Sequence, residues 1–304
     1  MKKLVLPSAA VADHRRRLRL GFGRIDGGCT EIDRRRDGSR RLRGLDGGAK
    51  GDVGQEDAHG EGDEGDDGAD EEDVGEGGGH HAAQDTYGGF CLFNNPALVA
   101  RALAANGRVM IINWDAHASN GTKRIFYADP QVLTVSIHRD PVGFFPNEGF
   151  VEEIGVGPGQ GFSVNVPMPR GSSDGDYLMA FDAIVAPLHR QFRPKYVVVE
   201  CGFDAHHLDP VGGQRLTSSG FRELGRRLAR LQNKNLILTL EGGYNANTIG
   251  RLAHTLLRAL RGSAASRMQD KASEAKVAAA TSEKSQVVSM LDALRRALGG
   301  YWRL

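Results

Sequence analysis

From residue 88 onward the chain alternates short apolar runs with longer amphipathic ones, and each apolar run ends on polar residues. Val109-Met-Ile-Ile112, Val132-Leu-Thr-Val-Ser-Ile137, Tyr196-Val-Val-Val199 and Leu236-Ile-Leu-Thr-Leu240 are too short for helices and read as strands buried on both faces. Between them, Asn94-Asn95 caps a helix that begins at Pro96 and runs toward Gly107, and further helices are expected at about 177–192, 220–231 and 248–261. Strands spaced by helices require right-handed crossovers. The expected fold is therefore α/β: a three-layer, mostly parallel sheet with helices on both faces. In such a sheet the ligand site lies beyond the carboxyl ends of the strands. Asn113, Asp115, His117, Asp204 and Tyr244 all fall there.

Residues 1–79 use a different vocabulary. Arg, Gly and Asp dominate from about residue 14, residues 61–73 form an acidic run, and between Asp46 and Gly79 the only large apolar residues are Val53 and Val74. Such a stretch buries too little surface to offset its ordering entropy. Residues 1–79 are thus expected to be a low-complexity, charged, disordered head, and 80–304 a folded domain. The same vocabulary arises when a GC-rich gene is read out of frame, so a natural arm and a frame-damaged segment both stand open. Met1 to Ala12 faintly imitates a signal peptide, but it is short, contains Pro7 and runs into His14-Arg-Arg-Arg17, and a first β-strand is the better reading. Beyond residue 262 a polar linker precedes Val287, Val288, Leu291, Leu294 and Leu298 at helical spacing, expected as a C-terminal helix docked on the same domain.

Bulk properties narrow the function. A net charge of +1 gives no reason to expect nucleic acid or an anionic membrane as partner. Three widely spaced cysteines make neither a disulfide framework nor a Cys-type zinc site. No apolar run approaches the ~20 residues of a membrane span, and the cytoplasm is the expected compartment. Nothing in the sequence sets an oligomeric state.

The polar residues at the strand ends suit a catalytic zinc, which takes imidazole and carboxylate ligands and keeps one position for water. Asp115 and His117, two apart at a strand end, point the same way, and Asp204 follows another strand as a third ligand. His80-His81 offers a general base and an electrostatic partner, and Tyr244 offers a hydroxyl to a developing oxyanion. Phe90 and Phe145 follow glycines in loops and could flank a narrow slot for an aliphatic chain.

His-His-Ala (80–82), Gly-Gly-Phe-Cys-Leu-Phe-Asn-Asn (88–95), Trp-Asp-Ala-His-Ala-Ser-Asn-Gly-Thr (114–122), Ser-Ile-His-Arg-Asp-Pro (136–141), Cys-Gly-Phe-Asp-Ala-His (201–206) and Leu-Glu-Gly-Gly-Tyr-Asn (240–245) resemble the histone deacetylase superfamily, whose prokaryotic members include acetylpolyamine amidohydrolases and acetoin-utilisation proteins. The resemblance implies an arginase-like fold and zinc-dependent removal of an acetyl group from an acetylated amine, either acetyl-lysine in a protein or a small acetylpolyamine, by metal-activated water. It assigns Asp115, His117 and Asp204 to the metal, with Fe2+ an alternative to Zn2+ in the cell. His81 would be the base and then the acid, His80 its electrostatic partner, and Tyr244 the carbonyl-polarising group. Gly89, Phe90 and Phe145 would line the acyl-chain tunnel. A structural K+ would sit on the backbone carbonyls of Asp115, His117 and Ile137 and the Ser136 hydroxyl.

There are departures. Many relatives carry Asp where this chain has Asn113, which is expected to accept a ring N–H of His80 without stabilising its imidazolium as a carboxylate would. Asn120 replaces the second buffering Asp of some branches, and Ala118 stands where a second histidine is usual. The head resembles nothing in the family beyond a loose likeness over Leu4 to His14. The alternative is thus a catalytically impaired or inactive remnant of the fold. An arginase-like two-metal site needs more Asp and His at the strand ends than the sequence offers.

Overall fold

Five parallel strands form one sheet in the order β3-β2-β1-β4-β5, built from β1 (Val109–Asn113), β2 (Val132–Arg139), β3 (Ser163–Met168), β4 (Tyr196–Cys201) and β5 (Leu236–Leu240). The computed structural model describes residues 78–263 and 284–304, and the expectations for the head and the linker fall outside them except at Gly78, Gly79, Gly262 and Ser263. The chain runs outward from β1 through β2 to β3, then returns to the other side of β1 for β4 and β5. In register, Asn113 of β1 lies between Ser136 of β2 and Glu200 of β4.

The two faces divide by alternation along each strand. Met110 and Ile112, with Val197 and Val199, face the larger apolar cluster, while Val109, Ile111 and Val198 face a smaller one. The smaller cluster is closed by α1 (Asn95–Ala104) and α2 (Asn120–Phe126). The larger is closed by α3 (Asp174–Ala180), α4 (Ala186–Phe192), α5 (Ser218–Arg230), α6 (Ala246–Leu260) and α7 (Lys284–Leu298). Helices thus cover both faces of a parallel sheet, the three-layer α/β arrangement expected.

Several elements differ from the expectation, each for a local reason. β3 had no counterpart in the sequence reading: Ser163-Val-Asn-Val-Pro-Met168 is broken by polar residues and a proline, which an edge strand tolerates because one side of its ladder is unpaired. The helix expected unbroken over 177–192 begins earlier, at a capping box in which Asp176 accepts from the Ser173 amide at 2.7 Å. It then widens into a π-turn over Phe181–Val185 just ahead of Pro187, whose ring and missing N–H disturb the ladder four residues back. The seven-residue α2 is too short to show a helical period. Asn94 does cap α1, accepting from the Ala97 amide at 2.9 Å.

Along α7, Val287, Leu291, Leu294 and Leu298 enter the main core, whereas Val288, one step round the helix, is 45% exposed. Trp302 follows, its indole N–H donating to Gly161 O at 2.6 Å and its ring packed against Phe162 and Phe192. Leu294→Ala should destabilise the domain by about 2–5 kcal/mol, and Val288→Ala by no more than about 0.5 kcal/mol. Urea unfolding of the two variants checks this, and equal midpoints would mean that α7 does not belong to the cooperative core.

Candidate metal centre

Past the end of β1 the chain bends over residues 115–117, with Trp114 and Ala116 packed in the core while Asp115 and His117 come together beside Asp204. Asp204 reaches the same point from the loop after β4. One ligand atom from each of Asp115, His117 and Asp204 lies within 4.8 Å of the other two, and among the described residues no other three His, Cys, Asp or Glu converge in this way. His117 Nδ1 is 3.0 Å from Asp115 Oδ1 and 2.7 Å from Asp204 Oδ2.

Backbone amides hold the carboxylates in place. Asp204 Oδ1 accepts from the Ala116 amide at 2.7 Å, Asp115 Oδ1 from the His117 amide at 2.9 Å and Asp115 Oδ2 from the Gly242 amide at 2.8 Å. No backbone amide reaches Asp204 Oδ2, which is fully buried and faces the His117 imidazole nitrogen at 2.7 Å. A buried carboxylate oxygen met only by an imidazole nitrogen, with a second carboxylate beside it, is a site that fits a divalent cation. Two carboxylates and one imidazole, without thiolate, suit zinc or iron(II) in an open catalytic site.

The electrostatics agree. Burial alone would raise the Asp115 carboxyl, but His80 and His117 overcome it and hold that group well below the usual carboxylate range. Burial, and then the charge of Asp115, push Asp204 up to about 7. Burial disfavours a charged His117, yet hydrogen bonds and charges from both aspartates outweigh it and push the imidazole up to about 10. The centre attracts positive charge strongly, and without a metal a proton on His117 answers that demand.

The histidine pair lies beside this centre. His81 Nδ1 is 2.7 Å from Asn120 Oδ1, which can only accept, so His81 carries its proton on Nδ1 and leaves Nε2 as an acceptor. His80 Nε2 lies 2.9 Å from His81 Nε2 and supplies the proton between them. Burial lowers both imidazoles from their ordinary range, that of His81 further because His80 is beside it. Both are therefore neutral near pH 7.

No close hydrogen bond reaches the buried His80 Nδ1, although the Asn113 side chain favours a charged His80. Asn113 Oδ1 accepts from the Asp115 amide at 3.1 Å. Its Nδ2 donates to His117 O at 3.0 Å and to Ser136 Oγ at 2.9 Å, two of the oxygens that the resemblance assigns to K+. One amide group thus donates to both, and each oxygen keeps a further lone pair. Ile137, the remaining K+ candidate beside Asp115, is a buried residue of β2.

His80, His81, Gly89, Phe90 and Tyr244 share a cavity of ≈ 240 Å³ with Gly78, Cys91 and residues 241–243. Phe145 stands over His81, ring centroids 4.9 Å apart, and Phe90 is 6.2 Å from the Tyr244 ring. Phe90, Phe145 and Tyr244 are 60%, 50% and 40% exposed, so they form a mouth and not a core. Gly89, at φ +56°, passes so close to His81 that a β-carbon would meet the ring at 2.4 Å. Burial, and then the charges of Asp115 and Asp204, raise the Tyr244 phenol, which keeps its proton and remains a donor.

Three residues of the site had been passed over. Phe144, neighbour of the chosen Phe145, stacks on His117 at 4.7 Å and 16°, with the Arg139 guanidinium 3.9 Å from its centroid. Glu200, a carboxyl inside the apolar run of β4, accepts from Ser119 Oγ and Thr122 Oγ1 at 2.5 Å each, fixing the start of α2, which carries Asn120. Glu241, read only as part of a motif, lines the cavity.

Comparison with known proteins gives the family. The histone deacetylase domain matches residues 70–260, and the chain belongs to that family. It is 37% identical over 233 residues to histone deacetylase HDA1 of Saccharomyces cerevisiae, covering 74% of this chain but 32% of that protein. The structure of the histone deacetylase Clr3 superposes with a TM-score of 0.62 at 36% identity, covering 70% of this chain and 36% of that one. The acetylpolyamine aminohydrolase of Burkholderia pseudomallei superposes with a TM-score of 0.58 at 40% identity, covering 60% of this chain and 53% of that one. The chain thus spans about a third of the yeast relative and about half of the Burkholderia enzyme.

A β-carbon at Gly242 would lie 2.6 Å from Asp115 Oδ2 and 3.0 Å from Asp204 Oδ2. Gly242→Ala should therefore weaken metal binding about 10- to 100-fold, read by chelator competition on the folded protein. Unchanged affinity would show that neither carboxylate depends on this close approach.

Proposed function

We propose that the chain is a zinc-dependent amidohydrolase that removes an acetyl group from an acetylated amine, an acetyl-lysine side chain or an acetylpolyamine. The observation that carries this reading is the Asp115–His117–Asp204 cluster beside a neutral histidine pair, with Tyr244 on the wall of the same cavity. Zinc held by those three side chains would polarise the acetyl carbonyl and acidify the attacking water. Among the described residues no helix is long and apolar enough to cross a membrane.

The remaining steps belong to side chains. His80 Nε2, 2.9 Å from His81 Nε2, occupies that nitrogen in the resting arrangement and must yield it to the attacking water. His81, its tautomer set by Asn120, then takes the water's proton at Nε2 and later returns it to the leaving amine. The Tyr244 hydroxyl donates to the carbonyl oxygen as negative charge develops there. Phe90 and Phe145 flank the methylene arm that both substrate classes share, and their exposed rings leave its far end in solvent.

A catalytically impaired relative is the second reading, favoured by one observation: His80 Nδ1 makes no close hydrogen bond, and the side chain that favours its charge is the amide of Asn113 and not a carboxylate.

Metal analysis of purified protein and deacetylation assays on an acetyl-lysine peptide and an acetylpolyamine test both readings. About one zinc per chain with turnover is expected; one zinc with no turnover on either substrate would favour the impaired relative. Tyr244→Phe should keep its metal and lose about 100- to 1,000-fold in kcat. His81→Ala should keep its metal and lose about 100- to 10,000-fold. Full activity in Tyr244→Phe would sink the carbonyl role.

A further inference from the structure

We infer that Glu241 is the positioning residue of the histidine pair, holding the backbone of the turn that carries His80 and His81 against the carboxyl end of β5. The inference rests on the proposed function for its catalytic consequence, though not for the contact itself.

His80 and His81 belong to no strand or helix. They sit at the tip of a turn closed by the Ala82 amide on Gly79 O at 3.3 Å. A turn of this kind sets side-chain positions only if something holds it. On one side the Thr122 amide donates to His80 O at 3.1 Å. On the other, Glu241 Oε2 accepts from the Gly79 amide at 2.7 Å and the His80 amide at 3.2 Å. Both anchors come from later in the chain.

Glu241 is built for this contact. It is 5% exposed, and its other oxygen, Oε1, meets Thr239 Oγ1 at 2.7 Å. That hydroxyl also contacts Val199 O at 3.2 Å, yet has one hydrogen to give. If Thr239 donates to Val199, the carboxyl itself supplies the proton to Thr239. Burial, and then the charge of Glu200, push Glu241 up to about 8, consistent with a neutral group that accepts twice and donates once. The next residue, Gly242, holds Asp115 Oδ2 through its amide. Adjacent residues therefore place the proposed base and a metal-binding carboxylate, and together they set the distance between them.

Glutamine reproduces this pattern: its carbonyl accepts two N–H groups and its amide donates to Thr239, but it cannot pass on a proton. In Glu241→Ala the metal content should be unchanged, KM should move less than about threefold and kcat should fall about 10- to 100-fold. Glu241→Gln should restore kcat to within about threefold of the parent. Amide exchange gives a second readout independent of turnover: Gly79 and His80 should be protected in the parent and exchange at least about tenfold faster in Glu241→Ala, with β1 unchanged. Fast exchange at Gly79 and His80 in the parent would overturn the inference even if Glu241→Ala does not fold. So would a Glu241→Gln enzyme as slow as Glu241→Ala, which would point to proton transfer. If the parent has no deacetylase activity, the proposed function fails while exchange still decides the contact.

Discussion

Four carboxyl groups converge at the carboxyl ends of three adjacent strands, and most of the site follows from how their burial is tolerated. Asp115, Asp204 and Glu200 are fully buried and Glu241 nearly so. An ionised carboxylate taken out of water without a partner costs several kcal/mol even after relaxation. The protein meets that demand in two ways. Asp115 and Asp204 stand around His117 and fit a divalent cation, whereas Glu200 and Glu241 are satisfied by hydroxyls and backbone amides. The division separates metal-binding carboxyls from scaffolding ones.

The scaffolding carboxyls carry order outward from the sheet. Glu200 takes the hydroxyls of Ser119 and Thr122, which flank Asn120, and Asn120 fixes the His81 tautomer. Glu241 holds the backbone before His81 from the opposite side. The β2–β3 loop is tied in by Lys123, which bridges Glu148 and Glu153, and by the His138 N–H to Gly149 O at 3.0 Å. That loop presents Phe144 to His117 and Phe145 to His81. Each group in the proposed chemistry is thus at most a few contacts from a central parallel strand, the stiffest part of an α/β domain.

The sequence made this sheet legible where strands are buried on both faces, because Val109–Ile112 and Tyr196–Val199 leave no polar residue for a solvent side. It concealed β3, where an edge position admits Pro167, and α2, where seven residues carry too little periodicity. Asp115, His117 and Asp204 could be grouped because strand ends in a parallel sheet share one rim. Contacts made by backbone amides left no such trace. Nothing in the residue types says that Glu241 reaches Gly79, 162 positions earlier in the chain. Nor do they say that Asn113 turns its amide toward Ser136; that choice depends on which neighbours already hold their hydrogens.

A site arranged in this way assigns different tasks to sheet and loops. The rim residues Phe90 and Phe145 are half or more exposed and sit in loops, while Asp115, His117 and Asp204 are buried just past strand ends. Substitution at the rim can change which amine enters without disturbing the carboxylates, because no rim ring holds an aspartate in place. Substitution at Gly202 or Gly242 cannot be so confined, since a β-carbon at either would lie within 2.6 Å of an Asp115 oxygen. Under the proposed function, family members named for histone and for acetylpolyamine deacetylation are physically compatible with one unchanged centre: an acetamide at the end of a slim methylene arm would be the same object to Asp115, His81 and Tyr244, whatever its far end is attached to.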